Sequence, residues 1–133
     1  MSLMDSFKSM VGKGLPKVEV KLKKTEAAVL ESVKGMATIT GGEYPVEIEK
    51  IVLYMQTLEE NVETSKTHES SSKVGTITFN DYALEVGETI ELPFQIKIPK
   101  SNLLTSTAIK NFVKVHLSIS GQDTFGVCEI KII

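Results

Sequence analysis

Nucleophilic catalysis needs a nucleophile, a base and a group that orients the base, and the only imidazole bases in this chain are His68 and His116. His68 lies in a polar, acidic run. His116 alternates with Val115 and Leu117, which turns it to the opposite, solvent-facing side of a strand. Both read as surface histidines, so no catalytic residue is assigned and no enzyme activity is expected. The single cysteine, Cys128, cannot form an internal disulfide. It falls in phase with Ile130 and Ile132 and reads as a packed core thiol. One cysteine and two distant histidines do not make a zinc ligand set. Glu59, Glu60, Glu63 and Glu69, joined by Asp81, could in principle gather a hard cation. Calcium loops, however, place aspartate and glycine at set offsets that this run lacks. It reads as a solvated loop, and no metal or cofactor is expected. Gly12-Lys13-Gly14 and Gly41-Gly42 do not join a strand to a helix, as phosphate-cradling loops must.

Composition narrows the ligand classes further. All fifteen basic residues are lysine, and the net charge is −2. Without arginine there is no bidentate fork for phosphate or guanine, and the one lysine cluster, Lys21, Lys23 and Lys24, alternates with Val20 and Leu22 as a solvated strand face. Nucleic acid is therefore not an expected partner. Sugar-binding sandwiches use exposed aromatic platforms, yet tryptophan is absent and Tyr44, Tyr54 and Tyr82 are the only tyrosines. Tyr54 and Val52 fall out of phase with the inward set of their strand, leaving either a small apolar patch or a face covered by the helix or a second domain. Apolar residues at 41% and charged residues at 24% are ordinary for a soluble globular protein. No apolar run approaches the roughly 20 residues that span a bilayer, and no signal peptide opens the chain, so a cytoplasmic location is expected.

The elements that would position these residues are mostly strands. Ile90, Leu92, Phe94, Ile96 and Ile98 occupy every second position, a period that excludes a helix and predicts a strand with one buried face. Val18, Val20 and Leu22 alternate likewise, as do Val113, Val115, Leu117 and Ile119, and then Cys128, Ile130 and Ile132. Val33 to Thr40 is a strand of smaller residues, with a sharp turn at Gly41-Gly42. In Val46 to Thr57 the parity changes, because Val46 and Ile48 sit on one count and Ile51, Leu53 and Met55 on the other. One extra residue near Glu49-Lys50 would restore a common face, so a β-bulge is predicted there. Leu58 to Lys73 loses the core pattern and reads as an exposed hairpin end or a mobile loop. Glu85-Val86-Gly87-Glu88 reads as a turn, Lys100 to Thr107 as a loop and Gly121-Gln122-Asp123 as a turn. Pro93 places its strand at a sheet edge or beside a bulge.

At the start, Met4, Phe7, Met10 and Val11 recur at helical spacing, predicting a short amphipathic helix within residues 1–15 that docks on the domain. Met1-Ser2-Leu3, ahead of a second methionine, reads as an added leader. A membrane-surface anchor is disfavoured, since anchors need a longer helix or a lipid with a polybasic patch. Residues 16–133 then form one all-β domain, a two-layer antiparallel β-sandwich of immunoglobulin-like type.

Several of these pieces together resemble the sporulation-control protein M family of Bacillus and related bacteria. They are Val11-Gly12-Lys13-Gly14, Lys17-Val18-Glu19-Val20, Val33-Lys34-Gly35 with Gly41-Gly42, and Val46-Glu47-Ile48-Glu49-Lys50-Ile51-Val52-Leu53. Val86-Gly87-Glu88 through Leu92-Pro93-Phe94 to Ile98-Pro99 completes the set. The resemblance implies a sandwich of the arrestin N-terminal type and a regulatory protein connected with sporulation. Members usually carry two such sandwiches in tandem, whereas this chain has room for one. Arrestins proper hold their basal state with an arginine-containing polar core that an arginine-free chain cannot reproduce, so no switch residue is carried over.

The expected role is a non-enzymatic adaptor that binds other proteins through an edge strand or the acidic loop. A carbohydrate- or small-ligand-binding module is the alternative. The candidate edges are the strand bearing Pro93 and the terminal strand Phe125 to Ile133, whose end inside the apolar pattern hints at further protein or a covering partner. The candidate contact residues are Phe125, Ile130, Ile132 and Ile133, with Glu59, Glu60 and Glu63 in the acidic run. Self-pairing of the terminal strand into a homodimer would bury Ile130, Ile132 and Ile133.

Overall fold

A computed structural model describes residues 14–120 and 123–133. Its strands are β1 (Lys17–Leu22), β2 (Glu26–Ala27), β3 (Ser32–Thr40), β4 (Val46–Asn61), β5 (Lys66–Leu84), β6 (Thr89–Lys97), β7 (Ile109–Ile119) and β8 (Thr124–Ile132). A three-stranded sheet has the order β1-β3-β6, and a five-stranded sheet the order β2-β8-β7-β4-β5. Pairing is antiparallel throughout, except that β2 runs parallel to β8 for two residues. There is no helix among the described residues. The helix expected within residues 1–15 lies outside them apart from Gly14 and Leu15, which belong to a turn.

Alternation dictates which faces meet. Val33, Ala37 and Ile39 of β3, with Phe94 and Ile96 of β6, pack against Ile51, Leu53 and Met55 of β4 and the inward residues of β7 and β8. Val113, Val115, Leu117 and Ile119 are all buried in this one core. Each fully buried aliphatic side chain contributes roughly 1.5–3 kcal/mol. The bulge expected near Glu49-Lys50 is present, because the register of β4 shifts between Ile48 and Lys50 against both β5 and β7. Ile48 and Ile51 therefore both face inward. The outer face of the five-stranded sheet carries a second cluster, Leu58 and Phe112 with Phe125 and Val127 packed against them. Val52 is buried as well, while Tyr54 is half-buried.

Close backbone approaches locate two of the glycines. Gly126 on β8 lies under β1, where a Cβ would stand 2.3 Å from the Val18 carbonyl oxygen. Gly41 donates its N–H to the Glu88 carbonyl, and a Cβ there would stand 1.9 Å from the Glu85 carbonyl oxygen. The segment Leu58 to Lys73 is a hairpin end, not a mobile loop, since pairing runs from Leu58↔Glu69 to Asn61↔Lys66. The Asn61 side-chain oxygen accepts the N–H groups of Glu63 and Thr64 and closes the turn. Cross-strand bonds satisfy the backbone there even though the side chains add little to the core.

The terminal strand is not an edge. It lies between β7 and β2, with Lys131 N–H donating to the Thr25 carbonyl and Ile133 N–H to the Ala27 carbonyl. Ile130 and Ile132 are each 1% exposed within the chain's own core, so they are not available for self-pairing. The Pro93 strand, β6, is an edge as expected.

β8 ends at one pole of the sandwich, together with the loop 23–31, the β4–β5 tip and the loop 98–108. A buried amide holds this pole together. Asn111 Oδ1 accepts from Thr57 Oγ1 at 2.7 Å and from Asn102 Nδ2 at 3.0 Å. Asn111 Nδ2 donates to the Leu103 carbonyl and to Thr105 Oγ1, and Thr105 Oγ1 also accepts the Ile132 N–H. Nearby, Leu30 takes a φ of 68°, a left-handed conformation that costs a branched L-residue about 1–2 kcal/mol. The turn is held by Leu30 N–H to the Ile98 carbonyl, by Ile98 N–H to the Glu31 carbonyl, and by the Glu31 carboxylate on Ala28 N–H and Lys24. The Lys24 ammonium and the Ala28 N–H hold the Glu31 carboxyl below its ordinary range.

Gly126→Ala should cost about 1–3 kcal/mol in urea unfolding, because the neighbour that must yield is backbone. Asn111→Leu should cost a similar ~1–3 kcal/mol by stranding buried polar partners, and amide exchange over residues 102–106 should quicken. Since Glu31 is lowered in the folded state, its contribution is complete above the unfolded carboxyl's pKa and is lost as pH falls through the folded value. Exchange at Leu30 should quicken in that acid window, and Glu31→Gln should abolish the pH dependence.

Candidate protein-interaction surface

Among the described residues, the pole where β8 ends carries most of the large apolar side chains left in solvent. Seven large apolar residues are markedly exposed among those described, and five of them, Leu30, Val62, Leu103, Leu104 and Ile133, sit on the loops and chain end of this pole. Tyr44 and Val86 lie at the opposite end, by the β3–β4 and β5–β6 connections. Backbone bonds tie three of the contributing segments to one another. Leu30 N–H reaches the Ile98 carbonyl, Thr105 N–H the Ile132 carbonyl and Ile133 N–H the Ala27 carbonyl. The Asn111 network anchors the loop carrying Leu103 and Leu104 from beneath, and the paired turn 28–31 fixes Leu30. A rigid platform of this kind loses little conformational entropy when something docks on it.

Charge borders the platform on one side. Glu59, Glu60 and Glu63 are exposed on the β4–β5 tip, with Lys66 beside them. Among the described residues no group of three or more His, Cys, Asp or Glu side chains is arranged to hold a metal ion. The acidic tip thus lies beside the apolar pole as an exposed run of carboxylates.

The expected contact residues separate in space. Ile133, 55% exposed, belongs to the pole. Ile130 and Ile132 lie behind it in the core. Phe125 is half-buried on the outer face of the five-stranded sheet, with Lys114 Nζ 4.4 Å from its ring centroid. Sequence reasoning missed Leu30, Val62, Leu103 and Leu104. Their signal was apolar residues inside otherwise polar connections, most plainly the pair Leu103-Leu104 within Lys100 to Thr107.

The residues considered for other chemistry also disperse. His116 is half-buried on the outer sheet face, with Nε2 3.3 Å from Asp123 Oδ2 and the Tyr54 ring 6.3 Å away between centroids. His68 is exposed on β5. Cys128 points inward but is only half-buried, and burial pushes its thiol above the ordinary value, away from reactivity. The tyrosines share no platform. Tyr44 is at the far pole, Tyr54 is on the outer face, and Tyr82 donates its hydroxyl to Glu88, which raises the phenol's pKa, while the Glu85 N–H first and the Tyr82 hydroxyl second lower the Glu88 carboxyl's. No helix among the described residues is long and apolar enough to cross a membrane.

Comparison with known proteins gives the fold a context. No curated protein matches the chain by sequence. The crystal structure of Spo0M, a sporulation control protein from Bacillus subtilis, superposes with a TM-score of 0.72 at 23% identity, covering 90% of this chain and 49% of that one. This chain thus spans about half the length of that relative. A CARDB domain from Pyrococcus furiosus, solved in complex with di-metal ions, is a more distant likeness. Its TM-score is 0.48 at 10% identity, over 92% of this chain and 93% of that domain. The family model described as SpoOM protein matches residues 4–124, and on that match the chain belongs to the Spo0M family.

Proposed function

We propose that this protein is a non-enzymatic regulatory adaptor in sporulation control, built on a sandwich of the arrestin N-terminal type and acting through contacts with another protein. The observation that carries the reading is the rigid pole of Leu30, Leu103, Leu104 and Ile133 bordered by the acidic β4–β5 tip. A partner that fits it presents apolar side chains flanked by lysine or arginine. Burying such a patch supplies the affinity, while the carboxylates set orientation and on-rate. Membership of the Spo0M family supplies the biological setting.

The test uses the source organism with the gene deleted. Wild-type protein should restore the normal yield of heat-resistant spores. Leu103→Glu/Leu104→Glu, which alters exposed side chains only, should fail to do so at equal abundance on an immunoblot. Full restoration by the double variant would overturn the pole as the contact surface. An unchanged spore yield on deletion would overturn the sporulation role itself.

A further inference from the structure

We propose that the outer face of the three-stranded sheet binds a single-chain amphiphilic anion of fatty-acid type, its head among Lys21, Lys23 and Lys34 and its chain in the apolar depression between them. This face is separate from the pole, and the proposal does not depend on the function assigned there. In the sequence Lys21 and Lys23 read as a solvated strand face. Strand pairing adds a third lysine. Lys21 pairs with Met36, and the Lys23 N–H donates to the Lys34 carbonyl, so the end of β1 and the start of β3 bring Lys21, Lys23 and Lys34 onto one face in two neighbouring rows. All three are exposed. β6 completes the rows with Pro93 beside Met36 and Gln95 beside Lys34, so neither row contains a carboxylate.

The carboxylates close by in sequence are already engaged. Glu19, two places from Lys21 on β1, pairs with Lys17 at 2.8 Å, and Glu31 holds Lys24. Among the described residues Lys21, Lys23 and Lys34 form no ion pair. Like charges that neighbour one another across strands repel, and an anion set between them offsets that repulsion. Between the rows lies a depression of about 260 Å³, lined also by Met36, Pro93 and Phe94. Gly35 lies in its floor, where a Cβ would stand 2.5 Å from Phe94 Cζ, so the missing side chain lets the ring close against the strand. The space takes roughly eight or nine non-hydrogen atoms at the ~30 Å³ of a water-sized group, which suits one short hydrocarbon chain and not a whole lipid. The side chains of Met36, Pro93 and Phe94 offer no hydrogen-bond donor, so the floor favours hydrocarbon over a sugar, and the ammonium groups at the rim supply the attraction for the anionic head.

Isothermal titration calorimetry with octanoate below its micellar range should show one saturable site per chain. Octan-1-ol keeps the chain without the charge and acetate keeps the charge without the chain, and each should bind at least about tenfold more weakly. Octanoate should move the backbone amide signals of residues 21–23, 34–36 and 94 in a nitrogen–proton correlation spectrum and leave those of Leu103 and Leu104 in place. Lys23→Glu/Lys34→Glu, which alters exposed side chains only, should weaken octanoate binding about tenfold or more without lowering the urea midpoint. Lys66→Glu, at the β4–β5 tip, should bind octanoate as wild type does. Acetate binding as tightly as octanoate, an unchanged affinity in the double variant, signals that move only at the pole, or neither heat nor signal change would each overturn the proposal. Capture of the protein by phosphatidylglycerol vesicles with no response to free octanoate would overturn it as well.

Discussion

The rest of the structure depends on one dry layer of aliphatic side chains between two sheets of unequal width. A strand offers a face to such a layer only at every second residue, and β4 must do so while lying between β5 and β7 along most of its length. Its apolar set changes parity after Ile48, so a straight β4 would turn Ile51, Leu53 and Met55 out to solvent. The bulge at Glu49 repairs the phase. It does so against both neighbours at once, which makes it a property of the whole sheet and not a local irregularity.

What the core leaves over determines the surface. Two strands overrun it at their shared end: β4 beyond Leu58 and β5 from Lys66 to Lys73 carry exposed side chains and are held together by backbone pairing and by the Asn61 turn. This overhang supplies both the carboxylates beside the pole and the open edge of β5. The pole has the opposite construction, with a satisfied polar network beneath and apolar side chains on top. Asn111 is fully buried, and its side-chain oxygen and nitrogen are both used. Because buried polar groups are costly when unpaired, such a network admits few loop conformations, and Leu103 and Leu104 are consequently held outside.

Much of the fold was legible from spacing. The strands through Phe94 and Val115, the bulge at Glu49-Lys50, the turn at Glu85 to Glu88 and the edge position of the Pro93 strand all rest on neighbours in sequence. The misplaced terminal strand did not. Its neighbour β2 is only two residues long, and nothing in Glu26-Ala27 announces a strand or a parallel bridge to Lys131 and Ile132. Ile130 and Ile132 were correctly paired on one face, but alternation cannot say whether that face meets the chain's own core or a partner.

By itself, then, the amino-acid order determined the all-β class, the inward face of each long strand and a family resemblance, since period, parity and turn chemistry act over a few residues. Whether the terminal strand became an edge, and which apolar residues were left in solvent, was decided only in three dimensions. Those outcomes turn on contacts between residues such as Ala27 and Ile133, or Leu30 and Ile98, which are far apart in the chain and brought together by packing of the two sheets.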